Sequence, residues 1–106
     1  MTEHAYRPVC PADSLAEGQV APHYLDDLHL RVAIARVGGT VYAFRDMVSG
    51  APLSSGLLRG TRLMSHVDGT WYELSTGAPV DGPDNPALET YPARESRGLI
   101  EIAVPG

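Results

Sequence analysis

F-R-D-M-V-S-G-A-P-L-S-S-G-L-L-R-G-T-R-L-M-S-H-V-D-G-T-W-Y-E-L-S-T-G, residues 44–77, decides how this chain is read. Its breakers fall in groups: Ser-Gly-Ala-Pro at 49–52 and Ser-Ser-Gly at 54–56 mark a loop and a turn, His-Val-Asp-Gly at 66–69 a second turn, and Ser-Thr-Gly at 75–77 a third. Between them lie short runs at 57–58, 62–65 and 70–74. Runs so short and so evenly interrupted predict two loop-bearing hairpins rather than helix.

The flanks agree. Upstream, residues 28–37 alternate, with Leu28, Leu30, Val32 and Ile34 on one face and His29, Arg31, Ala33 and Ala35 on the other, which predicts a half-buried strand. Gly38-Gly39 turns this strand into a partner over 40–44. Before it, a strand is predicted over 19–24, with a turn at Asp26-Asp27. Residues 6–10 read as extended, and in 11–18 Asp13 or Ser14 is expected to cap one helical turn that Gly18 ends. Downstream, Pro79, Pro83 and Pro86 bar the 78–86 stretch from helix or central strand and make it a surface loop. Strands over 89–95 and 99–104 follow, joined by a turn at 96–98, with Ile100, Ile102 and Val104 on one face. The expected class is all-β.

The bulk numbers exclude several functions. A chain of 106 residues reads as a single domain, 1–106, large enough to bury one core without metals or disulfides. Eight basic against 13 acidic side chains, a formal charge of -5, argue against a nucleic-acid partner. With no apolar run long enough to span a bilayer and no signal-like start, neither membrane nor export is expected, and a cytoplasmic location is. Cys10 is the single cysteine, so an intrachain disulfide or a multi-thiolate site is out of reach.

In order, the landmarks resemble those of the Rieske ferredoxin family. They are Leu15-Ala16-Glu17-Gly18, Val41-Tyr42-Ala43-Phe44-Arg45-Asp46, Leu53-Ser54-Ser55-Gly56, the stretch 69–77 ending in Ser-Thr-Gly, and Tyr91-Pro92-Ala93-Arg94. The resemblance implies a small sandwich or barrel of antiparallel sheets with a loop-hairpin subdomain over 46–77. It also implies a [2Fe–2S] cluster held by C-x-H and C-x-x-H loops. Here the second-loop ligand positions fall on Ser65 and Asp68, and residues 46–51 include neither Cys nor His. Hydroxyl and carboxylate are poor replacements for thiolate and imidazole. No cofactor and no metal are therefore expected, a state similar to that of some nitrite reductase small subunits.

Other chemistry is thin. Ser65, His66 and Asp68 are near neighbours, whereas triad partners must converge in space. His4, His23, His29 and His66 match no zinc spacing. Trp71 and Tyr72 are adjacent, so one faces the core and the other solvent or a partner. Met47, Val48, Ala51, Pro52, Leu53 and Val67 form an apolar set on the loops, suited to docking a protein. Asp26, Asp27, Asp81 and Asp84 read as solvated turn residues.

Three functions follow. The first is a cluster-free accessory or binding subunit that docks onto an oxygenase, reductase or biosynthetic enzyme and passes no electrons. The second is a small non-redox enzyme with a pocket at the former cluster site, using His66, Asp68, Tyr72 and Glu73. The third is an electron-carrying ferredoxin with an unusual or partner-supplied metal site.

Overall fold

The computed structural model describes residues 6–48, 50–81 and 86–104. His4, Ser49 and Asp84, with residues 82–85 of the predicted loop, lie outside them. The fold is all-β, and its turns include short 3-10 segments rather than α-helices among the described residues.

Strand β1 (Tyr6–Pro11) is followed by β2 (Val20–Leu25), β3 (Leu30–Val37) and β4 (Thr40–Arg45). The loop region holds β5 (Met47–Val48), β6 (Ala51–Pro52), β7 (Leu57–Arg59), β8 (Arg62–Met64), β9 (Trp71–Glu73) and β10 (Pro79–Asp81). The chain then returns through β11 (Thr90–Tyr91), β12 (Ala93–Ser96) and β13 (Leu99–Ala103). All pairings are antiparallel. One sheet runs β1, β13, β12; a central sheet runs β11, β4, β3, β2; a third runs β10, β9, β8, β7; and β5 pairs with β6.

The central sheet is covered on both faces. Val32, Ile34, Ala43 and Tyr91 pack with Ile100, Ile102, Leu15 and Leu25 in one core. On the opposite face Ala33, Ala35 and Phe44 pack with Leu53, Leu63, Tyr72, Leu74 and Leu88 in a second. This corrects the expectation of a half-buried strand: the face of β3 that looked polar is covered by the loop sheet. Ala33 and Ala35 are small, and small side chains let a second layer approach closely.

Other boundaries also shift. Residues 26–28 form a 3-10 turn, and His29 takes a left-handed conformation (φ 49), so β3 begins at Leu30. The predicted capped turn is a 3-10 segment at Ala12–Ser14 with no side-chain cap, and Ser14 instead donates to the Pro11 carbonyl at 2.7 Å. The single strand expected over 89–95 is two. Pro92, which has no N–H to give a ladder, separates β11 in the central sheet from β12 in the outer one. Pro79 opens β10, an edge strand, inside what was predicted as loop.

Several landmarks have a mechanical reason. Glu17 accepts the N–H groups of Gly38 and Gly39 at 2.6 and 3.0 Å, fastening 15–18 to the β3–β4 turn. These bonds hold its carboxyl below the ordinary value. Arg36 binds the Leu15 and Ala12 carbonyls and the Glu95 carboxylate, tying the central sheet to the outer one. Gly56 and Gly77 mark close backbone approaches: a Cβ on Gly56 would lie 1.9 Å from the Met64 carbonyl oxygen, and one on Gly77 2.1 Å from that of Leu88. Gly77 also has φ +82, disfavoured for any residue with a Cβ. Gly56→Ala is expected to lower unfolding free energy by about 1–3 kcal/mol in urea denaturation, the usual cost of overpacking. A stability within 0.5 kcal/mol of wild type, about the scatter of ordinary surface changes, would contradict the close approach.

Candidate functional site

The loop region is fastened to the central sheet by Asp46, which has no exposed surface. Its Oδ2 accepts from Arg31 Nε at 2.7 Å and from Ser54 Oγ at 2.8 Å, while its Oδ1 accepts from the Ser54 N–H at 2.6 Å. Its backbone joins in: the N–H donates to the Arg31 carbonyl at 2.9 Å, and its carbonyl accepts the Leu53 N–H at 2.6 Å. A buried carboxylate is costly unless paired and hydrogen-bonded, and here both conditions are met. The 3-10 turn Leu53–Ser55 is thus held through Leu53 and Ser54.

The second loop closes on itself. The Ser65 N–H donates to the Thr70 carbonyl at 2.8 Å, and the Gly69 N–H to the Ser65 carbonyl at 2.9 Å. The two positions matching lost cluster ligands serve as turn formers: Ser65 Oγ accepts the Val67 N–H at 3.3 Å, and Asp68 Oδ1 accepts the Thr70 N–H at 3.0 Å. The loops are joined by Ser55 Oγ, 3.2 Å from His66 Nδ1.

The four residues proposed for a pocket have different settings. His66 is exposed and bonded to Ser55, and Asp68 shapes its own loop. Glu73 accepts from Thr61 Oγ1 at 3.0 Å and from Ser75 Oγ at 2.8 Å, with Arg62 at 3.6 Å. Burial alone would push the Glu73 carboxyl up, but these hydrogen bonds and the Arg62 charge outweigh it and hold the group below 4.5. Tyr72 is the inward ring of the aromatic pair. It lines a groove of about 280 Å³ with Met47, Val48, Leu88 and the Arg45–Glu89 ion pair. Trp71 is the half-exposed neighbour, with the Arg59 guanidinium 5.9 Å from its ring centre.

Of the apolar docking set, Met47 (41% exposed) and Val67 (51%) are open to solvent. Val48, Ala51 and Pro52 are half-buried. Leu53 is 1% exposed and is corrected to a core residue, because the Asp46 lock turns it inward. Asp46 and Arg31, which organise the site, carried one sequence signal: an acidic residue closing the apolar run Val41-Tyr42-Ala43-Phe44.

No family model matches the chain. It is 32% identical to the terminal oxygenase component of carbazole 1,9a-dioxygenase from a Sphingomonas species, over 92% of this chain and 28% of that protein. The chain thus spans little more than a quarter of that relative. Among solved structures it superposes on the Sphingomonas yanoikuyae B1 ferredoxin with a TM-score of 0.84, at 22% identity, covering 95% of this chain and 100% of that one. The terminal oxygenase of carbazole 1,9a-dioxygenase from Novosphingobium sp. KA1 gives 0.84 at 30% identity, covering 95% of this chain and 30% of that one. A chain from the complex of reduced oxygenase and oxidised ferredoxin in carbazole 1,9a-dioxygenase gives 0.84 at 23% identity, covering 95% and 94%. The chain is a Rieske-type, ferredoxin-like domain in its fold.

These likenesses correct the expectation that the chain has no cofactor. The structures it superposes on include ferredoxins of dioxygenase systems, which carry [2Fe–2S], so the fold is that of cluster carriers. Loop composition counts only ligands that the chain itself supplies, and absence of a cofactor does not follow from it. The donor set does not fit the cluster as the family holds it. Ser65 and Asp68 offer oxygen and are already engaged within the loop, and Cys10 lies on β1 in the outer sheet. No step is derived through that group.

Asp46→Ala is expected to cost about 3 kcal/mol in chemical denaturation, because it strips charged hydrogen bonds from Arg31 and Ser54. Ser54→Ala, which removes one of them, is expected to cost about 1 kcal/mol. The Glu73 contribution has a defined sign: a carboxyl held low in the folded state stabilises above 4.5 and loses that stability as pH falls through its folded value. Glu73→Gln is accordingly expected to flatten the acid limb of stability below pH 4.5. An unchanged limb would remove Glu73 from that account.

Proposed function

We propose that this chain is a ferredoxin-like component of an oxygenase system that acts by docking onto its partner through the two loops. On this reading it is one module, residues 1–106, with 46–77 as the docking subdomain. Its task toward the partner is assembly rather than electron transfer through ligands of its own, and it works in the cytoplasm. The observation that carries the reading is the pairing of exposed Met47 and Val67 with loops tied to the sheet by Asp46 and to each other by Ser55 and His66. Apolar tips on an ordered scaffold lose little entropy on association. The groove beside Met47 and Val48 can receive an apolar partner side chain, with Arg45 and Glu89 on its polar rim. Relatives that include oxygenase components and an oxygenase–ferredoxin complex support an oxygenase as the partner class. No helix among the described residues is long and apolar enough to cross a membrane.

The test is binding of the purified chain to a purified terminal oxygenase of the carbazole 1,9a-dioxygenase type, followed by calorimetry, with iron and acid-labile sulfide measured on the same sample. Met47→Glu and Val67→Glu are each expected to weaken binding about tenfold or more, the range of central interface residues. Unchanged affinity in both variants would overturn the docking surface. Stoichiometric iron and sulfide with visible absorption would overturn the assembly-only role in favour of electron carriage.

A further inference from the structure

The central sheet ends at β2, and one part of its inner face stays uncovered. Pro22 pairs with Ala33 and Tyr24 with Arg31, so Pro22, Tyr24 and Arg31 continue the face that is buried under the loop sheet at Ala33 and Ala35. Beyond that cover, Pro22, His23, Tyr24 and Arg31 line a groove of about 230 Å³. It is distinct from the groove at Met47 and Val48.

Its polar groups are unspent. Arg31 gives Nε to Asp46, which fixes the guanidinium, while its two terminal amino groups make no hydrogen bond among the described residues; the side chain is 39% exposed. The Tyr24 hydroxyl likewise has no partner among the described residues, and Tyr24 is 57% exposed. We propose that this groove binds a small monocarboxylate carried on a flat apolar ring: the Arg31 amino pair takes the carboxylate, and the Tyr24 and Pro22 rings flank the apolar body.

The class follows from shape and charge. A guanidinium fork matches a planar carboxylate, and once oriented it loses less entropy on binding. An exposed tyrosine ring offers a stacking face. His23 pairs with Val32 and so lies on the opposite face of β2, where burial holds its imidazole below the ordinary value, and it brings no second charge to the groove. One arginine already shared with Asp46, on a chain of formal charge -5, suits a monoanion better than a phosphate dianion. The site lies on β2 and β3 and does not rest on the docking reading.

Benzoate is the probe, with acetate (no ring) and benzamide (no charge) as controls, titrated into isotopically labelled protein and followed by amide and Arg Nε–H resonances. The expected result is saturable shifts centred on His23, Tyr24 and Arg31 with benzoate, and binding at least about tenfold weaker with either control, the loss of one charged hydrogen bond or of ring contact. Tyr24→Ala, at an exposed position, is expected to fold normally and weaken benzoate about tenfold; Arg31→Lys keeps a cation beside Asp46 and is expected to lose the fork and the binding. Should Arg31→Lys unfold, Tyr24→Ala and the benzamide comparison decide the matter. Absence of saturable shifts at millimolar benzoate, shifts centred on Met47 and Glu89, or equal binding of benzamide would each overturn the proposal.

Discussion

Asp46 ties the open end of the β3–β4 hairpin, the start of β3 and the end of β4, to the turn Leu53–Ser55. A buried ion pair is weak evidence for net stability, since desolvation offsets much of the attraction. Its value lies in specificity. A carboxylate without surface must find donors, and among the positions open to it, Arg31 and Ser54 supply three with short, charge-assisted geometry. The loop region is thereby held in one place over the face formed by Ala33 and Ala35, and Leu53 is turned into the core beneath it.

The three-layer arrangement follows from that placement. Once the loop sheet lies on the central sheet, β3 is buried on both faces, and its alternation becomes large residues toward the outer sheet and small ones toward the loops. Gly77 closes the same joint by backbone contact with the segment entering β11, while Gly56 packs the turn Leu53–Ser55 against β8 within the loop region. What the loops then present to solvent is decided by subtraction: Leu53 and Tyr72 are consumed by the core, Ser65 and Asp68 by their own turn, and Met47 and Val67 are left outside. The same lock holds Arg31, which lines the open groove beside β2.

The strands of the central sheet were legible because period-two alternation and the Gly38-Gly39 turn are local signals. The loop hairpins were legible from their breakers. The second buried face was not, since Ala33 and Ala35 beside Arg31 look like a solvent face until the covering layer is known. Nor was the division of 89–95, where Pro92 marked a break but no sequence feature says which sheet each half joins. Leu53 was misread for the same reason as Ala33: its surroundings are set by residues far along the chain. The cofactor reading erred differently. The loops show only the ligands that the chain itself supplies, whereas the fold is shared with a ferredoxin. Of the polar candidates at the former cluster site, Tyr72 and Glu73 are adjacent in a strand and so point to opposite faces.

The chain's own hydrogen bonds, with Asp46 at their centre, hold the loop end in a single arrangement. Amide hydrogen exchange on the protein as purified, compared with Asp46→Asn, tests it most directly. Protection at Leu53, Ser54 and Gly69 is expected to be comparable to that in β3 and β4; in the variant, where an amide NH2 replaces the oxygen that holds Arg31 and Ser54 Oγ, the turn opens and Leu53 and Ser54 lose protection while β3 and β4 keep theirs. Exchange at those amides as fast as in an open loop, or protection indifferent to Asp46→Asn, would contradict it.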